Sequence, residues 1–245
     1  MNLVSHLACA ILRRCRQNSA ALYTRFADWA FPADSDASIR TRIVTFNYDV
    51  LLDKLLLERF DQGDLYFDTL RERRDRARKR NQPFPVLIKL HGSANWRCTG
   101  DSFKRIIEGP APDDGSGPFE IPQVWLGGKE LPSPDNDASP LLIPPLPAKP
   151  ISEIKLFRYL WTRAYEYLYE AEGIVIVGYS LPDADHMAYS MFSNFQPGRL
   201  KRVVIVDPAA EILVKWRSVL GRPGIANAAL TYHATFRDYL DEVGA

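Results

Sequence analysis

Four short apolar runs in this chain each stop at a polar cluster: RIVTFNYD (42–49), VLIKLHGS (86–93), IVIVGYSLPDAD (174–185) and VVIVDP (203–208). Runs of β-branched and aliphatic residues without polar alternation predict strands buried on both faces, as in a parallel sheet covered by helices. Helical spacing fills the intervals. Leu3, Val4, Leu7, Ala8, Ile11, Leu12 and Cys15, continued by Leu22, Tyr23, Phe26, Ala27 and Ala30, predict a helix over 3–30 that Pro32 ends. VLLDKLLLERF places Leu51, Leu52, Leu55, Leu56 and Phe60 on one helical face. A third stripe, from Leu156 to Ala171, is closed by Gly173 and runs into IVIVG, and a fourth carries Ile212, Leu213, Trp216, Val219 and Leu220 before Gly221. ALTYHA predicts a last strand and FRDYLDEV a short terminal helix. Strands alternating with helices in this order predict an α/β, Rossmann-like fold, a mostly parallel sheet with helices on both faces. Ligands of such sheets bind beyond the carboxyl ends of the strands. The residues collected there are Asn47, Asp49, His91, Gly92, Gly178, Ser180 and Asp207.

Between Gly109 and Pro150 the pattern breaks, because 11 of the 18 prolines and 5 of the 14 glycines fall in these 42 residues. Such a segment predicts neither regular sheet nor long helix. Its apolar pieces, PQVWLGG and LLIPPLP, predict that part of it packs, as a flap over the crevice with a mobile middle from 110 to 139. The expected organisation is a single domain: an N-terminal helical segment over 1–40, a core from 41–96 and 151–245, and a Pro/Gly-rich insertion over 97–150.

Composition narrows the function classes. Lysine and arginine (31) nearly balance aspartate and glutamate (30), so a net charge of +1 creates no field for nucleic acid or an anionic membrane. The basic run RERRDRARKR (71–80) reads as a phosphate-attracting patch or a solvated helix; the absence of an aromatic residue to stack a base favours the second. Cys9, Cys15 and Cys98 are odd in number and form no CxxC pair, which argues against a disulfide framework or a zinc site, and a cytoplasmic setting is expected. The N-terminal LVSHLACAIL lacks a basic flank before it and runs into RRCR, so it reads as mature protein and not as a signal peptide. No stretch approaches the roughly 18 apolar residues of a membrane span.

TFNYD, then LHGSxxW, then LIPP, then a Trp-bearing helix running into GYSLPxxD and a strand ending in DP resembles the SIR2-like family, over about 41–208. These are bacterial relatives of sirtuins, many of which cleave NAD in defence against phage. The resemblance implies an NAD hydrolase releasing nicotinamide and ADP-ribose, with NAD as substrate or ligand, no metal, and room for a homo-oligomer or a partner subunit. Cleavage of the bond between nicotinamide and ribose expels a neutral pyridine, so the reaction needs a base to activate the nucleophile more than an acid. His91, at a strand end and followed by a glycine that admits a ligand, suits that base; its plain reading is a core histidine bonded to backbone. Asn47 suits orientation of a ribose hydroxyl or a water, and Asp49 a contact to the nicotinamide carboxamide; for both the alternative is capping of the helix that follows at once. The resemblance further implies that Thr45, Phe46 and Gly92 line the ligand site, and that Gly178 and Ser180 form the second nucleotide contact. Asp183 and Asp185 are expected in the first turn of the next helix, where they repel an anion, so Ser180 is expected to meet ribose. Asp207 is expected on the adenosine ribose, and His6, His186 and His233 are left structural or exposed.

One departure stands out. The family begins with a strand and a GAGxS loop around the pyrophosphate, whereas the first glycine here is Gly63. The chain therefore reads as lacking that unit or as a degenerate member, and the competing function is a catalytically inactive NAD- or ADP-ribose-binding or regulatory module. The absence of a zinc ribbon places protein deacylation below both.

Overall fold

A computed structural model describes residues 21–31, 41–60, 65–66, 87–98, 123–124, 139–143, 154–183, 185–195, 199–220 and 229–245. The chain divides into two compact units, Met1–Trp161 and Thr162–Ala245, with the boundary inside a helix. The fold is mixed α/β, with three small sheets among the described residues, two of them parallel.

In the first unit, helix α1 (Ala21–Ala30) precedes strand β1 (Ile43–Thr45) and helix α2 (Leu51–Leu56). The helix predicted over VLLDKLLLERF stops at Leu56 and continues only as turns. Phe60, expected on its face, instead meets Phe31 edge-on at 5.6 Å. Arg59 ties this corner to α1 by donating to the Ala27 carbonyl and to Asp28. β1 pairs in parallel with β2 (Leu87–Lys89), Ile43 against Leu87 and Thr45 against Lys89.

The polar cluster after β2 turns out to be a strand, β3 (Gly92–Cys98), buried along its whole length. Two short strands from the proline-rich segment, β4 (Gln123–Val124) and β5 (Ser139–Leu142), pair antiparallel with it. That corrects the expectation of no regular sheet in the insertion. Proline lacks only an amide donor, and Pro140 stands opposite Arg97 at an irregular point of the ladder. The expected mobile middle of the flap, the basic run 71–80 and the first 20 residues, with His6, Cys9 and Cys15, lie outside the described residues, apart from Gln123–Val124 and Ser139.

Helix α3 (Lys155–Glu170) carries the predicted stripe and leads to the second unit's sheet, β6 (Gly173–Val177), β7 (Arg202–Val206) and β8 (Ala229–His233), all parallel in the order β6-β7-β8. Gly173 does not close α3 in a left-handed conformation; it opens β6, paired with Arg202. Helices α4 (His186–Ser193) and α5 (Ile212–Leu220) make the connections, and α6 (Phe236–Glu242) ends the chain behind a capping box of Thr235 and Asp238. Trp216 of α5 is wholly buried, edge-on to Phe192 at 4.9 Å, its indole donating to the Tyr179 carbonyl at 3.2 Å.

β7 is buried along four of its five residues, as its unbroken apolar run predicts. β6 is not: Ile174 and Ile176 point inward, while Val175 and Val177 are 37% and 45% exposed. Among the described residues β6 is an edge strand, and the pleat sends alternate side chains to opposite faces, so an apolar sequence still yields one outward face.

Candidate functional site

β1 and β2 end together. The amide of Leu90 donates to the carbonyl of Thr45 at 3.0 Å, and beyond that bond the chains diverge as Phe46–Asp49 on one side and His91 on the other. His91 is 5% exposed, enclosed by Phe46 with ring centres 5.5 Å apart, by Tyr48 at 6.3 Å and by Trp161 at 6.1 Å. The surrounding rings are themselves anchored: Trp161 donates to the Leu90 carbonyl at 3.1 Å, and the Tyr48 hydroxyl to the Ile143 carbonyl. The His91 carbonyl accepts from the amide of Ile143 at 2.8 Å.

The structure thus brings Thr45, Phe46, Asn47, Asp49, His91 and Gly92 to one end of the β1/β2 pair. Asn47 is exposed between Phe46 and Tyr48, two of the three aromatic residues that touch His91, and its main-chain amide donates to Thr45 Oγ1 at 3.1 Å. Asp49 performs the helix-start role that its position allows: Oδ1 accepts from the Leu51 amide at 3.1 Å, where Val50, the formal cap, offers no side chain. Gly92 has its own structural requirement. Its φ is +79°, and a Cβ there would run into the Leu141 carbonyl oxygen and come within 2.8 Å of the Leu142 Cα. The close approach that it permits is that of β5.

Beneath this end lies a polar network that the sequence reading missed. Lys89, 1% exposed, donates to both carboxylate oxygens of the equally buried Asp53 at 3.0 Å and to the carbonyl oxygen of Asp49. The Tyr66 hydroxyl donates to Asp53 at 2.5 Å, Asn95 hydrogen-bonds to Tyr66, and Ser93 donates to Asn95 at 2.6 Å. Burial, and after it the Asp53 carboxylate, push the Tyr66 phenol far above its usual range, so it stays a donor. Two signals were available: a lone lysine inside the apolar run VLIKL, and a lone aspartate among the leucines of α2. Opposite charges inside two segments both expected to be buried call for each other.

The second unit places Gly178, Ser180 and Asp207 at the ends of β6 and β7, where Val177 and Val206 stand in register. Gly178 adopts φ +61° with open space where a Cβ would project, and its amide donates to the Val206 carbonyl at 2.8 Å. Ser180 is exposed. Asp207 is engaged locally, Oδ1 accepting from the Ala209 amide at 2.9 Å and its carbonyl from the Tyr232 hydroxyl at 2.7 Å. Asp183 and Asp185 precede α4 instead of forming its first turn. Asp183 pairs with Lys215 at 2.7 Å, which lowers its pKa, and Asp185 accepts from the Tyr179 hydroxyl at 3.0 Å. Burial, reinforced by Asp185, raises the Tyr179 phenol. His186 is exposed, and His233 faces Glu242 at 3.4 Å across the turn into α6.

Among the described residues no helix is long and apolar enough to cross a membrane, and no three potential ligands cluster as for a metal. No protein-family model matches the chain, and no curated protein matches it.

Proposed function

We propose that the chain is a SIR2-like NAD hydrolase with Rossmann-like architecture, acting in the cytoplasm, in bacterial defence against phage. The observation that carries this reading is the placement of His91, held in an aromatic enclosure at the common end of β1 and β2, beside the loop of Asn47 and Asp49.

In this reading the bond between the ribose anomeric carbon and the nicotinamide nitrogen breaks with its electron pair going to the nitrogen, which leaves neutral. Water attacks the anomeric carbon, its proton passes to His91, and ADP-ribose is the second product. The rings around His91 keep bulk water from competing for the base. Asn47, exposed at the loop crest, orients the ribose hydroxyl or the water, and Asp49 faces the carboxamide while one of its oxygens holds the Leu51 amide. Thr45 and Phe46 line the nicotinamide side. In the second unit taken by itself, the open space over Gly178, at the strand ends that also carry Ser180 and Asp207, suits a ribose or phosphate.

The test is release of nicotinamide from NAD, with His91→Ala lowering kcat by about 100-fold or more, the usual worth of a positioned base, and Asn47→Ala lowering it as well. No nicotinamide from the folded wild-type protein at micromolar concentration removes the reading. A second reading, an inactive module that binds NAD or ADP-ribose, is favoured by one observation: Asp49 Oδ1 is engaged by the Leu51 amide at the start of α2. Thermal stabilisation by ADP-ribose without turnover selects it.

A further inference from the structure

We infer that the buried Lys89–Asp53 pair is a positioning device for the loop from Phe46 to Asp49, acting through the bond from Lys89 Nζ to the Asp49 carbonyl. The inference rests on the proposed NAD cleavage for its kinetic consequence but not for its structural one.

Three features separate this pair from an ordinary internal ion pair. Both carboxylate oxygens of Asp53 lie 3.0 Å from Nζ, so α2, which carries Asp53, is locked to β2, which carries Lys89. The third donor direction of the ammonium goes to main chain, at Asp49, the last residue of the loop before α2. A lysine has three donors and no other use for them in an apolar interior, so the loop is held at one geometry relative to β2. β2 leads directly to His91 in the next turn, so the two arms of the proposed site share this anchor. Tyr66, Asn95 and Ser93 extend it to β3 in an unbroken chain of donors and acceptors that leaves Asp53 one arrangement. Beside this bond, the loop is held by the Asn47 amide on Thr45 Oγ1, the Leu51 amide on Asp49 Oδ1, the Ala94 amide on the Tyr48 carbonyl, the Tyr48 hydroxyl on the Ile143 carbonyl and the Phe46 and Tyr48 rings against His91. Of these contacts only that of Asp49 Oδ1 lies at the α2 end, where Lys89 grips the main chain. Lys89 touches no reacting atom; it acts through Asp49 and, along the loop, through Asn47.

The test uses the full chain with the double substitution Lys89→Met and Asp53→Asn. It removes both charges at near-constant volume, leaves Tyr66 an acceptor at position 53, and deletes the bond to Asp49. Thr235→Ala, in the second unit's capping box, serves as a control that lowers stability without touching the loop. Amide hydrogen exchange is read first. The expected result is at least a tenfold loss of protection at Leu51 and Ala94 in the double variant with Leu90 unchanged, and no such change in Thr235→Ala. Uniform loss at all three amides, or none at Leu51 and Ala94, overturns the inference. Nicotinamide release from NAD is read second: kcat falls at least tenfold in the double variant while Thr235→Ala keeps wild-type constants. Unchanged kcat with the exchange pattern present overturns the catalytic consequence. A wild-type protein that releases no nicotinamide overturns the NAD reading, and the exchange pattern then still decides whether Lys89 holds the loop.

Discussion

Gly92→Ala separates two explanations of the glycine after His91. If Gly92 exists to admit a ligand, a methyl group there weakens binding and leaves stability alone. The structure assigns the glycine to β5 instead. At φ +79° an L-residue with a Cβ is penalised by about 1–2 kcal/mol. The methyl also runs into backbone, with the Leu142 Cα at 2.8 Å and the Leu141 carbonyl carbon at 3.1 Å, and backbone atoms of a paired strand cannot swing aside as a flexible side chain can. Forcing extra volume into a packed interior costs about 1–3 kcal/mol, so the substitution should remove about 2–5 kcal/mol, a large share of a domain's stability. Urea unfolding followed by tryptophan fluorescence measures it, with Trp96 on β3 reporting from the affected strand. The midpoint should fall with the slope unchanged. A loss below about 1 kcal/mol would show that β3 and β5 do not approach as described, and weaker NAD binding at unchanged stability would return Gly92 to the ligand.

Lys89→Met alone strands Asp53 as a buried unpaired carboxylate and should lose about 3–5 kcal/mol, whereas Lys89→Met with Asp53→Asn should recover most of it, because neutral groups of similar volume carry no such desolvation penalty; calorimetry on both variants decides. Thr235→Ala deletes the hydroxyl that accepts from the Asp238 amide at 3.1 Å and should lower stability by about 1 kcal/mol in urea. Lys215→Ala should raise the Asp183 titration midpoint toward that of an ordinary aspartate, read by carboxyl-carbon NMR. Because the folded pKa of Asp183 is depressed, its contribution is present above the unfolded value and fades as pH falls through the folded one; the group is fully exposed, so Asp183→Asn should leave the melting temperature at neutral pH nearly unchanged.

The strands that were legible were those whose runs end in Thr45, Lys89, Val177, Val206 and His233, and the helices those with a regular stripe, from Lys155–Glu170 down to the short Phe236–Glu242. β3 was hidden behind the polar cluster that ends VLIKLHGS: Ala94, Trp96 and Cys98 alternate with Ser93, Asn95 and Arg97, a period of two that the glycine and the polar letters disguised. The pairing of Pro140 with β3 was not legible, since nothing local in SPLL distinguishes a strand from a coil. Of the candidate site, the places of His91 and Asn47 at strand ends were legible. The aromatic enclosure was only half visible, because Phe46 and Tyr48 adjoin Asn47 in sequence while Trp161 reaches His91 from α3, 70 positions away.

Local patterning by itself determined the strands with unbroken apolar runs, the helices with regular stripes and which residues stand where those strands stop, because hydrophobic period and turn chemistry act over a few residues. Only tertiary structure decided what those residues touch. The contact that makes Gly92 necessary, the lysine that grips both Asp53 and the Asp49 carbonyl, and the choice of which face of β6 looks outward all depend on partners distant in sequence. Packing and long-range hydrogen bonds select among arrangements that local sequence leaves equivalent.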